Sequence, residues 1–239
     1  MSEIIITPDG LRLLGLVLVT CPSETTNGGV LGKQHALELA RDEKSVGFEE
    51  FMHYLGLRNP GPSVFSHIHK VAVGKGAASI DAAFVAGYFG GKPHIERVVA
   101  GTSKETLCGL FGDNGYYFKS IVSHVLLPAR VSNVRLDDVK GKKAHVVDAI
   151  YENGDMNLSF SNLIMLPREP VEKGQFVLCH HSSVLPGIVS EDMKKLLLEA
   201  QLDSSAFMEA CRKIDQDGIN HCSMLSLPAA RAALDYDCS

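Results

Sequence analysis

Between residues 131 and 179 four apolar-rich runs follow one another with almost nothing between them. The runs are 131–136, 144–151, 156–166 and 175–179, rich in β-branched and aliphatic side chains. Asp138-Val139-Lys140-Gly141, Asn153-Gly154-Asp155 and Glu172-Lys173-Gly174 punctuate them, each carrying the glycine or Asx residues that tight turns require. Two parallel neighbours need a crossover of about a dozen residues or more, so such short connections force antiparallel pairing. The segment is therefore an antiparallel meander, and the rest of the chain must be arranged around it.

The N-terminal half has a different grain. Ile4-Ile5-Ile6 and the apolar run 11–19 flank Pro8-Asp9-Gly10, which predicts a β-hairpin with a central second strand. Helices are expected over 33–42 and 48–57, the second with Phe48, Phe51, Met52 and Leu55 on one face. Arg58-Asn59-Pro60-Gly61-Pro62 then breaks the pattern. Run 64–73 reads as a strand, Gly74-Lys75-Gly76 as a turn, 77–89 as a helix and 94–99 as a short strand. A further helical region opens at Thr102 or Ser103 and splits at Gly112-Asp113-Asn114-Gly115. That order is βαβα-like, with a right-handed crossover. From residue 187 onward helices are expected at 190–200, 204–214 and 228–234, the first two opened by Ser190-Glu191-Asp192 and Asp203-Ser204-Ser205.

The predicted class is α+β: a βαβα-like segment, the antiparallel meander and a helical C-terminal part. We expect one compact domain over 1–239, with sub-regions 1–58 (hairpin plus helices), 63–127 (βαβα), 128–186 (meander) and 187–239 (helical). A chain of 239 residues buries a core without disulfides or metal. The six cysteines, Cys21, Cys108, Cys179, Cys211, Cys222 and Cys238, form no C-x-x-C pair, which suits reduced thiols in the cytoplasm. Residues 1–7 lack a basic leader, and run 11–19 contains Arg12 and is too short for a bilayer, so no membrane span is expected.

Gly74, Lys75, Gly76 and Ser79 are the candidate site. A glycine turn that opens a helix presents backbone N–H groups and the positive end of the dipole to an anion. A single lysine separates the two glycines, and Ser79 occupies the last glycine position of G-x-G-x-x-G, so neither nucleotide fingerprint is met. The expectation is an anion contact with no cofactor. His67 and His69 would share one face of a strand. Cys179, His180 and His181, with His221 and Cys222, supply metal donors in number but lack paired C-x₂₋₄-C spacing, so no metal is predicted. His181-Ser182-Ser183 and His221-Cys222-Ser223 repeat a His-x-Ser pattern suited to paired acid–base chemistry, yet the second falls in a turn between helices. Cys108 lies in a helical stretch, no G-x-S-x-G elbow occurs, and no catalytic residue is assigned. Arg130, Arg135, Lys140, Lys142 and Lys143 form the densest basic cluster, partly cancelled by Asp137 and Asp138.

The leading expectation is thus a non-enzymatic assembly or interaction protein that self-associates, of the kind found in shells, matrices and scaffolds, viral ones included. One alternative is a small cytosolic α/β-type enzyme or binding protein for a phosphorylated metabolite, acting through Gly74-Lys75-Gly76. The other is a nucleic-acid-packaging protein with a local basic surface. The net charge of −5 and the absence of tryptophan weigh against that last reading.

Overall fold

The computed structural model describes residues 3–20, 44–54, 64–101, 115–139, 141–165, 171–181, 183–185, 189–216 and 222–223. The chain divides into two compact units, Met1–Tyr88 and Phe89–Ser239.

In the first unit three two-residue strands, β1 (Ile5–Ile6), β2 (Val46–Gly47) and β3 (Ser79–Ile80), lie in the order β2-β1-β3. β1 is antiparallel to β2 and parallel to β3. Helices α1 (Pro8–Thr20), α2 (Phe48–Tyr54), α3 (Val64–Gly74) and α4 (Ala82–Phe89) complete the unit, apart from Phe89 itself.

The hairpin expected at the N-terminus is corrected. Pro8-Asp9-Gly10 opens a helix: the N–H of Leu11 donates to the Thr7 carbonyl at 2.8 Å, and that of Gly10 to Thr7 Oγ1 at 3.4 Å. Pro8 then occupies the first helical position, where its missing N–H is no loss. Leu11, Leu13, Leu14, Leu16 and Val17 are all buried, so the apolar run marks a covered helix, which periodicity alone cannot tell from a covered strand. Gly10 is required by close approach, because a Cβ there would overlap the carbonyl oxygen of Ile80.

Residues 64–73 are likewise helical. Val64, Phe65, Ile68 and Ala72 are buried at helical spacing, and Phe65 meets Phe51 edge-on with centroids 5.6 Å apart. The helix expected over 77–89 starts only at Ala82, after β3, where Asp81 Oδ1 accepts from the N–H of Phe84 at 2.7 Å. The strand expected at 94–99 lies within a helix of the second unit. The parallel pair with intervening helices is therefore β1–β3. The helices expected at 33–42 and 228–234, and the split at residues 112–115, fall outside the described residues or at their edge.

The second unit opens with α5 (Lys92–Gly101) and α6 (Gly115–Ser123). The meander follows as β4 (Leu127–Val139), β5 (Lys142–Asn153), β6 (Met156–Met165) and β7 (Phe176–His180). β8 (Ser183–Leu185), α7 (Glu191–Leu202), α8 (Ser205–Gln216) and β9 (Cys222–Ser223) complete it. The strands run β5-β4-β7-β8-β6, and β6 pairs back to β5, which closes a five-stranded barrel. All neighbours are antiparallel except β6 and β8, and the short β9 also lies parallel to β6.

The barrel is filled with side chains. Val131, Val147, Tyr151, Phe160, Leu163 and Val177 meet Ile95 of α5, Ile121 of α6 and Phe207 of α8 in one core. Each such fully buried aliphatic or aromatic side chain contributes about 1.5–3 kcal/mol. Ser190 caps α7 by accepting from the N–H of Met193 at 3.2 Å, as its sequence position suggests. A buried polar chain fastens α7 to the barrel: Tyr151 donates its hydroxyl to Gln201 Oε1 at 2.8 Å, and Gln201 Nε2 donates to the Leu126 carbonyl at 2.8 Å. Among the described residues no helix is long and apolar enough to cross a membrane.

Candidate functional site

The glycine turn expected to seat an anion closes a helix instead of opening one. The N–H of Gly76 donates to the Val73 carbonyl and that of Ala77 to the Ala72 carbonyl, both at 3.0 Å, the paired bonds of a Schellman motif. Gly76 has φ +62°, the left-handed conformation that explains a glycine there. The end of α3 that faces this turn is the carbonyl end, whose partial charge is negative, so the dipole that motivated an anion seat points the wrong way. Gly74, Lys75 and Gly76 are exposed, and Ser79 sits in β3 opposite Ile5. Lys75 Nζ lies 5.6 Å from the centroid of the Phe84 ring. His67 and His69 do not share a strand face: His67 Nδ1 is 2.7 Å from the Tyr88 hydroxyl, and His69 stacks on Phe48 at 4.5 Å.

The structure gathers a different set. β7 ends at His180, and the turn into β8 places His181 at φ +51°, a conformation that non-glycine residues seldom adopt. The N–H of His181 donates to the Ser123 carbonyl at 2.8 Å, which clamps the hairpin tip to the end of α6. Beyond that end, His124 sets its Nδ1 2.6 Å from the Ser120 carbonyl. The carbonyl of His124 in turn receives His94 Nε2, from α5, at 3.0 Å, and a hydrogen bond from His180. The His124 and His181 rings meet edge-on at 4.2 Å, and those of His180 and His181 at 4.5 Å. Phe89 packs edge-on against His94 at 4.8 Å. Four histidines from three separate stretches of sequence, His94, His124 and the adjacent His180 and His181, thus form one cluster at one end of the barrel.

His94, His180 and His181 are buried and His124 is half-buried. Burial pushes His180 and His181 well below the ordinary histidine range, and the neighbouring histidines push them further the same way. Burial also lowers His124, opposed by its hydrogen bond to Ser120 and aided by the charge of Arg97. The imidazoles of His180 and His181 are therefore neutral at neutral pH, and a proton taken up by either is disfavoured both by burial and by the neighbouring histidines. His181 Nε2 and Ser183 Oγ are buried without a hydrogen-bond partner among the described residues.

Neutral imidazoles are good metal ligands, but among the described residues no group of three or more His, Cys, Asp or Glu is arranged to hold an ion. Cys179 is fully packed in the barrel core, and burial pushes its thiol up to about 12. Cys211 of α8 is pushed up to about 12 in the same way, so both are inert packing groups. Of the second His-x-Ser tripeptide, Cys222 and Ser223 form β9 opposite Phe160 and Ser161, a strand where a turn was expected. His221 lies outside the described residues.

The two arginines of the basic cluster are ion-paired on the barrel's outer face. Arg130 pairs with Glu152 at 3.1 Å, and Arg135 with Asp148 at 2.9 Å and Asp137 at 3.7 Å. Arg135 also donates to Asn162 Oδ1. Beside this polar surface Leu136 is 61% exposed, the most exposed large apolar side chain among the described residues. Sequence reasoning singled out His180 and His181 but neither His94 nor His124 beside them, nor the exposure of Leu136, because each depends on how separate elements are brought together. Among protein families, curated proteins and solved structures, nothing matches the chain.

Proposed function

We propose that this is a non-enzymatic assembly or interaction protein whose contact element is the β4–β5 ribbon. The observation that carries the reading is a mismatch of strand lengths. β4 pairs with β7 only over residues 127–130, and Val131 adds bonds to Gly174 and Gln175. From 132 to 139 its only described strand partner is β5, and β5 itself pairs with β6 only from Val146 onward. A two-stranded ribbon therefore runs past the barrel with one edge of β4 open among the described residues. An open edge offers unpaired N–H and C=O groups, the standard template for adding a strand from another chain. The chemically versatile side chains described above lie in packing positions, which supports a binding role over a catalytic one. Sedimentation velocity or light scattering across a wide concentration range tests the reading. We expect mass to rise with concentration, and a strictly monomeric species throughout would overturn it.

Connectivity favours a second reading. Three successive antiparallel strands followed by a hairpin whose last strand lies parallel to the third is the order of OB-type barrels, many of which bind single-stranded nucleic acid. Against it, Tyr151 and Phe160 are the only aromatic residues of β4–β6 and both are buried, so these strands present no stacking surface. Titration with single-stranded oligonucleotides at about 0.15 M salt decides between them, because weak non-specific contacts are already screened there. Tight binding by a monomer would replace the assembly reading.

A further inference from the structure

We propose that the open edge of β4 is completed by β4 of a second copy of this chain, paired antiparallel about a two-fold axis at Leu136. The inference rests on the assembly reading and adds to it a partner, a register and a symmetry.

The inward row of β4 begins with Leu127, Ala129 and Val131, all buried. A β-bulge between Val131 and Asn133 inserts one residue, so the row continues at Val134, which packs partly against the core, and then Leu136. Leu136 therefore points as a core residue does, but it stands beyond the barrel and is 61% exposed. On the other face Arg135 and Asp137 are neighbours two residues apart, with side chains 3.7 Å from each other.

A two-fold axis normal to a sheet keeps each side chain on its own side, so the pairing must centre on a residue and match i with its mirror position. Centred on 136, Leu136 faces the partner's Leu136. Arg135 faces the partner's Asp137, and by symmetry Asp137 faces the partner's Arg135. The uncovered apolar side chain is then covered, and Arg135 and Asp137, which already meet within one chain, each gain an opposite charge across the axis. Centring one residue earlier puts Arg135 opposite the partner's Arg135, and one residue later puts Asp137 opposite the partner's Asp137. Like charges directly opposite on neighbouring strands are destabilising, so these slipped registers are disfavoured by the same residues that favour the first.

The test measures the mass of the full chain and of three variants, with near-UV circular dichroism confirming the fold of each. The wild type is expected to reach twice the monomer mass. Leu136→Lys is expected to remain monomeric. Asp137→Arg, at an exposed position, is expected to weaken self-association by about tenfold, since two symmetry-related pairs become repulsive. Arg135→Asp alone is expected to weaken it too, whereas an equimolar mixture of Asp137→Arg and Arg135→Asp restores the dimer, because every charge then faces its opposite. If Leu136→Lys does not fold, Asp137→Arg and the mixture decide. Wild-type-like association of both Leu136→Lys and Asp137→Arg, or failure of the mixture to recover, would overturn this surface while leaving assembly through another one standing. A wild type that is monomeric at every concentration would overturn both.

Discussion

Mild acid should destabilise the second unit, and the size of the loss follows from the histidine cluster. His180 and His181 are buried and held neutral in the folded chain, well below the ordinary value of about 6.5 that each regains on unfolding. The unfolded chain therefore binds more protons as the pH falls through that value, so stability falls with falling pH. At about pH 5 each histidine that stays neutral when folded and is charged when unfolded removes about 2 kcal/mol, or about 4 kcal/mol for the pair. That is a large share of the 5–15 kcal/mol typical of a domain, and it corresponds to a fall in melting temperature of about 10 °C. Asp148, raised by burial but lowered further by hydrogen bonds from Asn162, Arg135 and Asn133, contributes stability that is lost only at more acid pH. Thermal melts followed by near-UV circular dichroism between about pH 7.5 and pH 5 measure the effect. His181→Asn removes one titrating group while tolerating the left-handed backbone, and it should shrink the pH-dependent loss. A wild type whose stability is flat over this range, or a His181→Asn chain that loses as much as the wild type, would refute the reasoning.

Three further substitutions test local claims. Tyr151→Phe deletes a hydroxyl that donates to Gln201 and accepts from Asn153 at 3.0 Å, and the buried groups left behind should cost about 1–3 kcal/mol in urea unfolding at constant m-value. Gly10→Ala forces a Cβ into the Ile80 carbonyl, a backbone group that cannot swing aside, so the first unit should lose stability or fail to accumulate, read by thermal melting and soluble yield. Gly76→Ala places a side chain at φ +62° with open space around it, so only the backbone penalty of about 1–2 kcal/mol is expected. A silent Gly76→Ala would mean that the Schellman closure of α3 contributes nothing measurable.

The meander was legible because its signals are local. Turn chemistry at residues 138–141 and 153–155, and short spacings between apolar runs, determine strand direction without reference to anything distant. Helices α7 and α8 were legible for the same reason, through hydroxyl caps at Ser190 and Ser204. The N-terminal half misled for two reasons. Residues 11–17 form a buried helix whose nearly unbroken apolar run has little period to distinguish it from a strand. The strand expectation for 64–73 overlooks the helical spacing of Val64, Phe65, Ile68 and Ala72. Pro8-Asp9-Gly10 is equally at home in a hairpin turn and in a first helical turn, and only the bonds to Thr7 decide. Barrel closure was out of reach, since it rests on the parallel pairing of Ile164 and Met165 with Ser183 and Val184, with no local signature. The histidine cluster was half visible: His180 and His181 stood out, but nothing in the spacing of His94 or His124 places them alongside.

A sequence specifies a fold when propensity, pattern, packing and polar satisfaction agree, and disagreements tend to mark places kept for another purpose. The glycine turn at residues 74–76 shows no disagreement: Gly76 has the conformation that glycine favours, at a helix end where it is expected. The second unit shows three. His181 holds a left-handed backbone without being glycine, buried imidazoles are packed where aliphatic side chains would be cheaper, and Leu136 continues an inward row into solvent. The first two coincide at the β7–β8 turn, and the third lies on the ribbon formed by the two longest strands. An aliphatic residue at 180 or a polar one at 136 needs no change of backbone, whereas an aliphatic residue at 181 would have to adopt the left-handed conformation that branched side chains tolerate least. These departures from the more stable choice lie in the second unit, and they move the search for function from the helix end at residue 76 to the barrel.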